Sequence, residues 1–375
     1  MQQKNELKHI LPPQVIQVSQ DTVYVQIANR IYVIREQKNE IFYDISGLDF
    51  LKCSIAENML YVILKNTHEE VLQALRISDN VLPWASARKD ILLPPLVKEG
   101  KLYLCEKEGI SALDSKDGTQ IWRCSLNSWF SPLIALQGET LYGLSQGEHP
   151  TLYVLDSNTG TVLRNFSLSP FLPAPATSLI VTSQTFILDT PDGCMVWHTH
   201  DGSFAWQYND TAITPMIEAN NEYIYLSYPP YRSGSSEDHP QSRNFPFQGG
   251  GFICALRQGD GSVAWKYQMS SDGLSGMSTP PVITDKIVYV GMSTQARQCS
   301  LIALHPETGV LLWKYHMQGT VLSSPFVKDH AVYVGLDDGY LYALNASTGS
   351  LLWKIFVSTS YQMEIDADGT VERLL

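Results

Sequence analysis

The 375-residue chain lacks several features that would have narrowed its role at once. No two of its six cysteines (53, 105, 124, 194, 254 and 299) are adjacent, and none form a C-x-x-C pair. That removes the usual thiol-redox and zinc-ribbon spacings, and the default is six reduced, mostly buried thiols. Cys105 and Cys124 fall within one repeat, which raises a bridge between them as a question for the structure. Basic charge is also short, with 26 Lys and Arg against 38 Asp and Glu and a net charge of −12. A nucleic-acid partner, which demands clustered cations, is therefore not expected. No apolar run approaches the roughly 18 residues of a membrane span. The opening Met1-Gln2-Gln3-Lys4-Asn5-Glu6-Leu7-Lys8 has no apolar core of the signal-peptide kind. As given, it reads as cytoplasmic; a start further upstream would make it periplasmic or cell-surface. No helical period interrupts the strand-like segments.

What is present is a repeat. Ala343-Leu344-Asn345 leads to Gly349 and then, four residues on, to Trp353. The same spacing runs from Ala303 through Gly309 to Trp313, Ala112 through Gly118 to Trp122, Ala255 through Gly261 to Trp265, and Val196 through Gly202 to Trp206. Three weaker copies end at Tyr43, Trp84 and Arg164. Of the intervals between these end positions, six lie between 38 and 48 residues and one, from 206 to 265, is 59. One supersecondary unit repeated at about 40 residues predicts a propeller blade or a solenoid turn.

The last copy spells out the unit. Ala331-Val332-Tyr333-Val334-Gly335 reads as a strand, and Asp337-Asp338-Gly339 as a hairpin turn with solvated acids. Tyr340 to Leu344 is the next strand. In the turn that follows, Asn345 can cap the backbone and Gly349 can take the left-handed conformation. Leu351-Leu352-Trp353-Lys354-Ile355 forms the outer strand. The expected fold is all-β: one eight-bladed propeller of four-stranded antiparallel blades over residues 12–375, preceded by a tail at 1–11. Trp84, Trp122, Trp206, Trp265, Trp313 and Trp353 are expected to dock blade on blade, each offering an apolar ring and one N–H donor.

This pattern resembles the PQQ-like repeat, the tryptophan-docking propeller motif, over roughly residues 12–357. The family includes quinoprotein alcohol dehydrogenases and the barrel-assembly-machinery propeller lipoprotein of bacterial outer membranes. The resemblance implies a bacterial source and a central channel. It also implies ring closure by a terminal strand, for which a hairpin within residues 361–375 is available. In the dehydrogenases of this family the channel holds PQQ and a calcium ion, with an Asp base and a disulfide between adjacent cysteines stacked on the quinone. This chain has no adjacent cysteines, and no match to the calcium or base positions is found.

Other constellations read as turns. His198-Thr199-His200-Asp201 occupies a repeat turn, although its residue types could hold a metal. Asp366-Ala367-Asp368-Gly369 falls short of a calcium loop. Asn165, Asn209 and Asn345 stand in glycosylation-like triplets without a clear secretion signal. The departure with functional content is an insertion in the sixth repeat, at 228–251. It carries the binding-type residues Tyr228, Tyr231, Arg232, Phe245 and Phe247. A smaller enlargement, Thr294 to Ser300, lies at the equivalent hairpin of the next repeat, so neighbouring blades would present both on one face. Trp129, outside the repeat position, is a further candidate for that surface, whereas Trp197 reads as core. The expectation is a monomeric, non-catalytic scaffold for a protein or other ligand, with no cofactor. The alternatives are a PQQ- and calcium-dependent dehydrogenase and an extracytoplasmic sensory or envelope-assembly module.

Overall fold

A computed structural model describes the chain except residues 1–11, 20–21, 28–29, 36–37, 45–48, 66–69, 80, 93, 127–129, 146–148, 170, 173–175, 191–192, 209–215, 229–250, 269–275, 295–297, 320–321, 358–362, 366–370 and 374–375. The β-branched and aromatic segments pair with their sequence neighbours into eight antiparallel sheets, each ordered as the chain runs. The first sheet holds Gln14–Ser19, Thr22–Ile27, Arg30–Arg35 and Lys38–Asp44. The remaining blades span residues 49–88, 96–125, 130–167, 178–208, 216–268, 276–318 and 326–356. Blade seven splits its inner strand into Gly276–Ser278 and Val282–Ile283, both paired with Val288–Thr294. No α-helix occurs among the described residues.

Alternation along each middle strand sends successive side chains to opposite neighbouring blades. The core is therefore a set of seams, with apolar clusters joining blade one to two, two to three, and so on around the ring. The ring closes through Val15, Val25 and Tyr32 of blade one, packed on Tyr333, Leu341, Ala343 and Trp353 of blade eight. Gly335 is required there, because any Cβ on it would run into the Pro13 carbonyl.

Closure differs from the expected strand exchange. All four strands of blade one are consecutive N-terminal segments. The C-terminal hairpin forms, as Met363–Ile365 paired with Val371–Arg373, but among the described residues it is a separate two-stranded sheet that adds no strand to a blade. Side-chain packing joins the first and last blades.

Candidate functional site

The repeat residues build the seams in a consistent way. The turn before each outer strand places a glycine at φ between 67° and 72°, at Gly118, Gly160, Gly202, Gly261, Gly309 and Gly349. At all of these but Gly202, the preceding blade's tryptophan lies flat against the glycine. A Cβ on Gly349 would come within 2.5 Å of the Trp313 ring, so the residue is fixed by contact as well as by conformation. The indole N–H then donates to a carbonyl in the same turn: Trp84 to Ser115 (3.1 Å), Trp122 to Ser157 (3.0 Å), Trp206 to Gln258 (3.0 Å), Trp265 to Pro306 (2.8 Å) and Trp313 to Ala346 (3.0 Å). Trp353 packs in the closing cluster.

A tyrosine on the second strand completes several of these joints, a feature that sequence reading missed; blade five has Ile187 there instead. Tyr289 donates to the Ala346 carbonyl (3.0 Å) that also receives the Trp313 N–H, and the two rings lie 5.8 Å apart. Tyr61 with Trp84 and Tyr225 with Trp265 repeat the arrangement. The signal was present as a recurrent Tyr three residues into the second strand, at 103, 142, 225 and 333 among others.

Blades four and five meet differently. Arg164 stands in the tryptophan position and donates to the His200 carbonyl (2.7 Å). Phe166, two residues on, lies against Gly202 in place of the indole. Its ring stacks toward Phe186, which stacks on Trp197 at 5.4 Å, and Trp197 is fully buried as expected of a core residue.

The binding residues named from sequence divide. Tyr228 ends the strand Tyr223–Tyr228 and is only 3% exposed, stacked on Phe252 at 4.5 Å. Its ring forms part of the seam between blades five and six rather than a solvent-facing anchor. Tyr231, Arg232, Phe245, Phe247 and Trp129 lie outside the described residues. The blade-six insertion and the blade-seven hairpin both connect the second and third strands of their blades, so both leave the same face of the ring. Only the first is enlarged: the strands Val288–Thr294 and Gln298–Leu304 of blade seven leave residues 295–297 between them, fewer than the equivalent 66–69 of blade two or 146–150 of blade four.

The turn clusters are local. Asp201 accepts from the Ser203 N–H (2.9 Å) and hydroxyl (2.7 Å) and lies 3.0 Å from His200 Nε2. Asn345 accepts from Ser347 and Thr348 N–H, as its turn role required. Asp337-Asp338-Gly339 is a turn, but Asp337 is buried, contrary to the solvated reading. Burial also holds the Asp338 carboxyl above the usual carboxylate range.

Cys105 and Cys124 both pair with Ile110, from opposite sides, so a whole strand separates them. Burial pushes the Cys53, Cys105 and Cys299 thiols up to about 12, which leaves them unreactive at neutral pH. Among the described residues no three His, Cys, Asp or Glu side chains converge to hold a metal.

The fold is that of the quinoprotein-type propellers. Against the quinohemoprotein alcohol dehydrogenase structure of Comamonas testosteroni, the TM-score is 0.61 at 12% identity, over 96% of this chain and 77% of that one. The chain belongs to the family described as outer membrane protein assembly factor BamB, which it matches at residues 106–226 and 249–370. The break between those stretches falls on the blade-six insertion. Among curated relatives, the Yersinia pestis outer membrane protein assembly factor BamB is 24% identical over 46% of this chain and 38% of its own length. The dehydrogenase subunit of a Gluconobacter oxydans quinone alcohol dehydrogenase is 26% identical over 41% of this chain and 20% of its own length. The chain thus spans well under half the length of either relative. No helix among the described residues is long and apolar enough to cross a membrane.

Proposed function

We infer that the chain is a non-catalytic interaction scaffold that holds a protein partner on the face carrying the hairpins of blades six and seven. The observation behind this reading is the long insertion between the strands Tyr223–Tyr228 and Phe252–Arg257 of blade six, which leaves one face of a ring whose seams are locked by repeated tryptophan joints. The insertion sits where the family match breaks between residues 226 and 249, so it is an internal stretch of this chain that departs from its family. Rigid rings with variable loops suit recognition, because the scaffold fixes the loops in space. The relative named as an outer membrane protein assembly factor supports a scaffolding role.

The dehydrogenase reading draws on the relative named as a quinone alcohol dehydrogenase. The missing adjacent cysteines, and the lack of a converging donor set among the described residues, argue against it.

The test replaces residues 229–250 with Asn-Gly, a dipeptide suited to a tight hairpin. Tagged wild-type and shortened proteins are crosslinked in the source cells and compared by quantitative mass spectrometry. A partner enriched with the wild type and lost with the shortened protein, at unchanged melting temperature, supports the scaffold reading. Identical partner profiles would overturn it.

A further inference from the structure

Blade five is held less uniformly than its neighbours. On its blade-four side the tryptophan is replaced by Arg164 and Phe166. On its blade-six side Trp206 is only half-buried, whereas Trp84, Trp122, Trp265 and Trp313 are 8–9% exposed. That second seam also contains a carboxyl group at a position where two other blades have glycine. Thr177 N–H donates to the Asp189 carbonyl (2.8 Å), as Thr279 does to Gly291 and Ser323 to Gly335 (both 2.9 Å). In blades seven and eight the hydroxyl of Thr279 or Ser323 then accepts from the glycine N–H. In blade five the Thr177 hydroxyl instead donates to Asp189 Oδ2 (3.0 Å).

Asp189 is 5% exposed, and its Oδ1 is buried without a hydrogen-bond partner. Among the described residues, the titratable side chains in the apolar cluster of this seam are Cys194 and Tyr208 from its own sheet and Cys254 and Tyr228 from blade six. Ile217 points into the seam, so alternation turns Glu218 away from it. Lys266, opposite Cys254 in its ladder, is directed to the same seam, with its ammonium 5.5 Å from the Phe252 ring centroid. Asp189 makes no ion pair among the described residues, so the Thr177 hydrogen bond is left to offset the cost of burying its charge when ionised.

We propose that blade five is a pH-gated segment of the ring, closed on blade six while Asp189 is protonated and loosened when it ionises. Burial raises this carboxyl from 3.8 to about 6, against the opposing Thr177 and Thr190 hydrogen bonds. The closed seam therefore holds the proton more tightly than an open seam exposed to water. Closure is favoured in acid, and that advantage is lost as pH rises through about 6.

Hydrogen exchange, corrected for its intrinsic pH dependence, reads the opening directly. The strands Thr185–Thr190, Gly193–His198 and Phe252–Arg257 report the seam, and Leu311–Gln318 serves as the reference. Going from about pH 5 to about pH 7 should raise opening of the seam roughly tenfold and leave the reference unchanged. Asp189→Asn, or Asp189→Ser if that variant folds better, should remove the pH dependence while keeping the fold. A wild-type seam with the same protection at both pH values would overturn the proposal. So would a folded variant that keeps the wild-type response. If neither variant folds, the wild-type comparison decides alone.

Discussion

At the residue scale, the ring depends on one contact made repeatedly: an indole laid on a glycine, with its N–H in the neighbouring turn. Trp313→Ala should cost about 3–5 kcal/mol, the usual range for truncating a buried large aromatic. Trp313→Phe keeps most of the ring but loses the bond to Ala346, and should cost roughly 1 kcal/mol beyond its packing loss. Chemical denaturation measures both, and an unchanged midpoint for Trp313→Ala would sink the docking role. Gly349→Ala places a methyl group against that ring at a φ of 71°, so a loss of at least about 1–3 kcal/mol is expected from strain alone. The tryptophans and glycines were legible in the sequence because their spacing recurs. The tyrosine that shares the carbonyl at Ser115, Pro306 and Ala346 was not singled out, since a Tyr in a strand looks like ordinary β-propensity. Tyr228 was misjudged for a related reason. It borders the insertion in sequence, yet strand alternation carries its ring into the seam.

At the scale of elements, the joint between blades four and five tests whether the repeat tolerates substitution. Arg164 contributes one hydrogen bond from an exposed position, and Arg164→Ala should cost about 1 kcal/mol or less. Phe166 supplies the ring that meets Gly202 and stacks toward Phe186, so Phe166→Ala should cost more, about 2–4 kcal/mol. The reverse order in urea midpoints would mean that the arginine, not the phenylalanine, replaces the tryptophan. Sequence spacing marked position 164 as the odd one but could not show that the apolar half of the role had moved two residues along the same strand face. The Asp337 turn teaches a similar lesson. Asp-Gly identifies a hairpin correctly, but the tertiary neighbours that bury one of its acids are invisible to local pattern.

For the whole molecule, the closure of the ring separates family expectation from this chain. The hairpin Met363–Ile365 with Val371–Arg373 joins no blade, whereas Gln14–Ser19 is an integral strand of blade one. Truncation after Val357 should therefore leave the melting temperature within a few degrees of the full chain, and deletion through Ser19 should prevent cooperative folding. A large loss on C-terminal truncation would return the closing role to the hairpin. The blade count and all-β class were readable because eight copies of one unit admit few architectures. The site was less readable, because it is made of loops that depart from the repeat, and departures carry no period.

The central claim is that this quinoprotein-type propeller acts as a scaffold. Its most direct test is an equilibrium titration of the purified protein with PQQ and calcium, followed by absorbance and calorimetry. The account predicts no saturable, calcium-dependent binding. Saturation near one PQQ per chain would contradict it and make this propeller a quinone-binding protein.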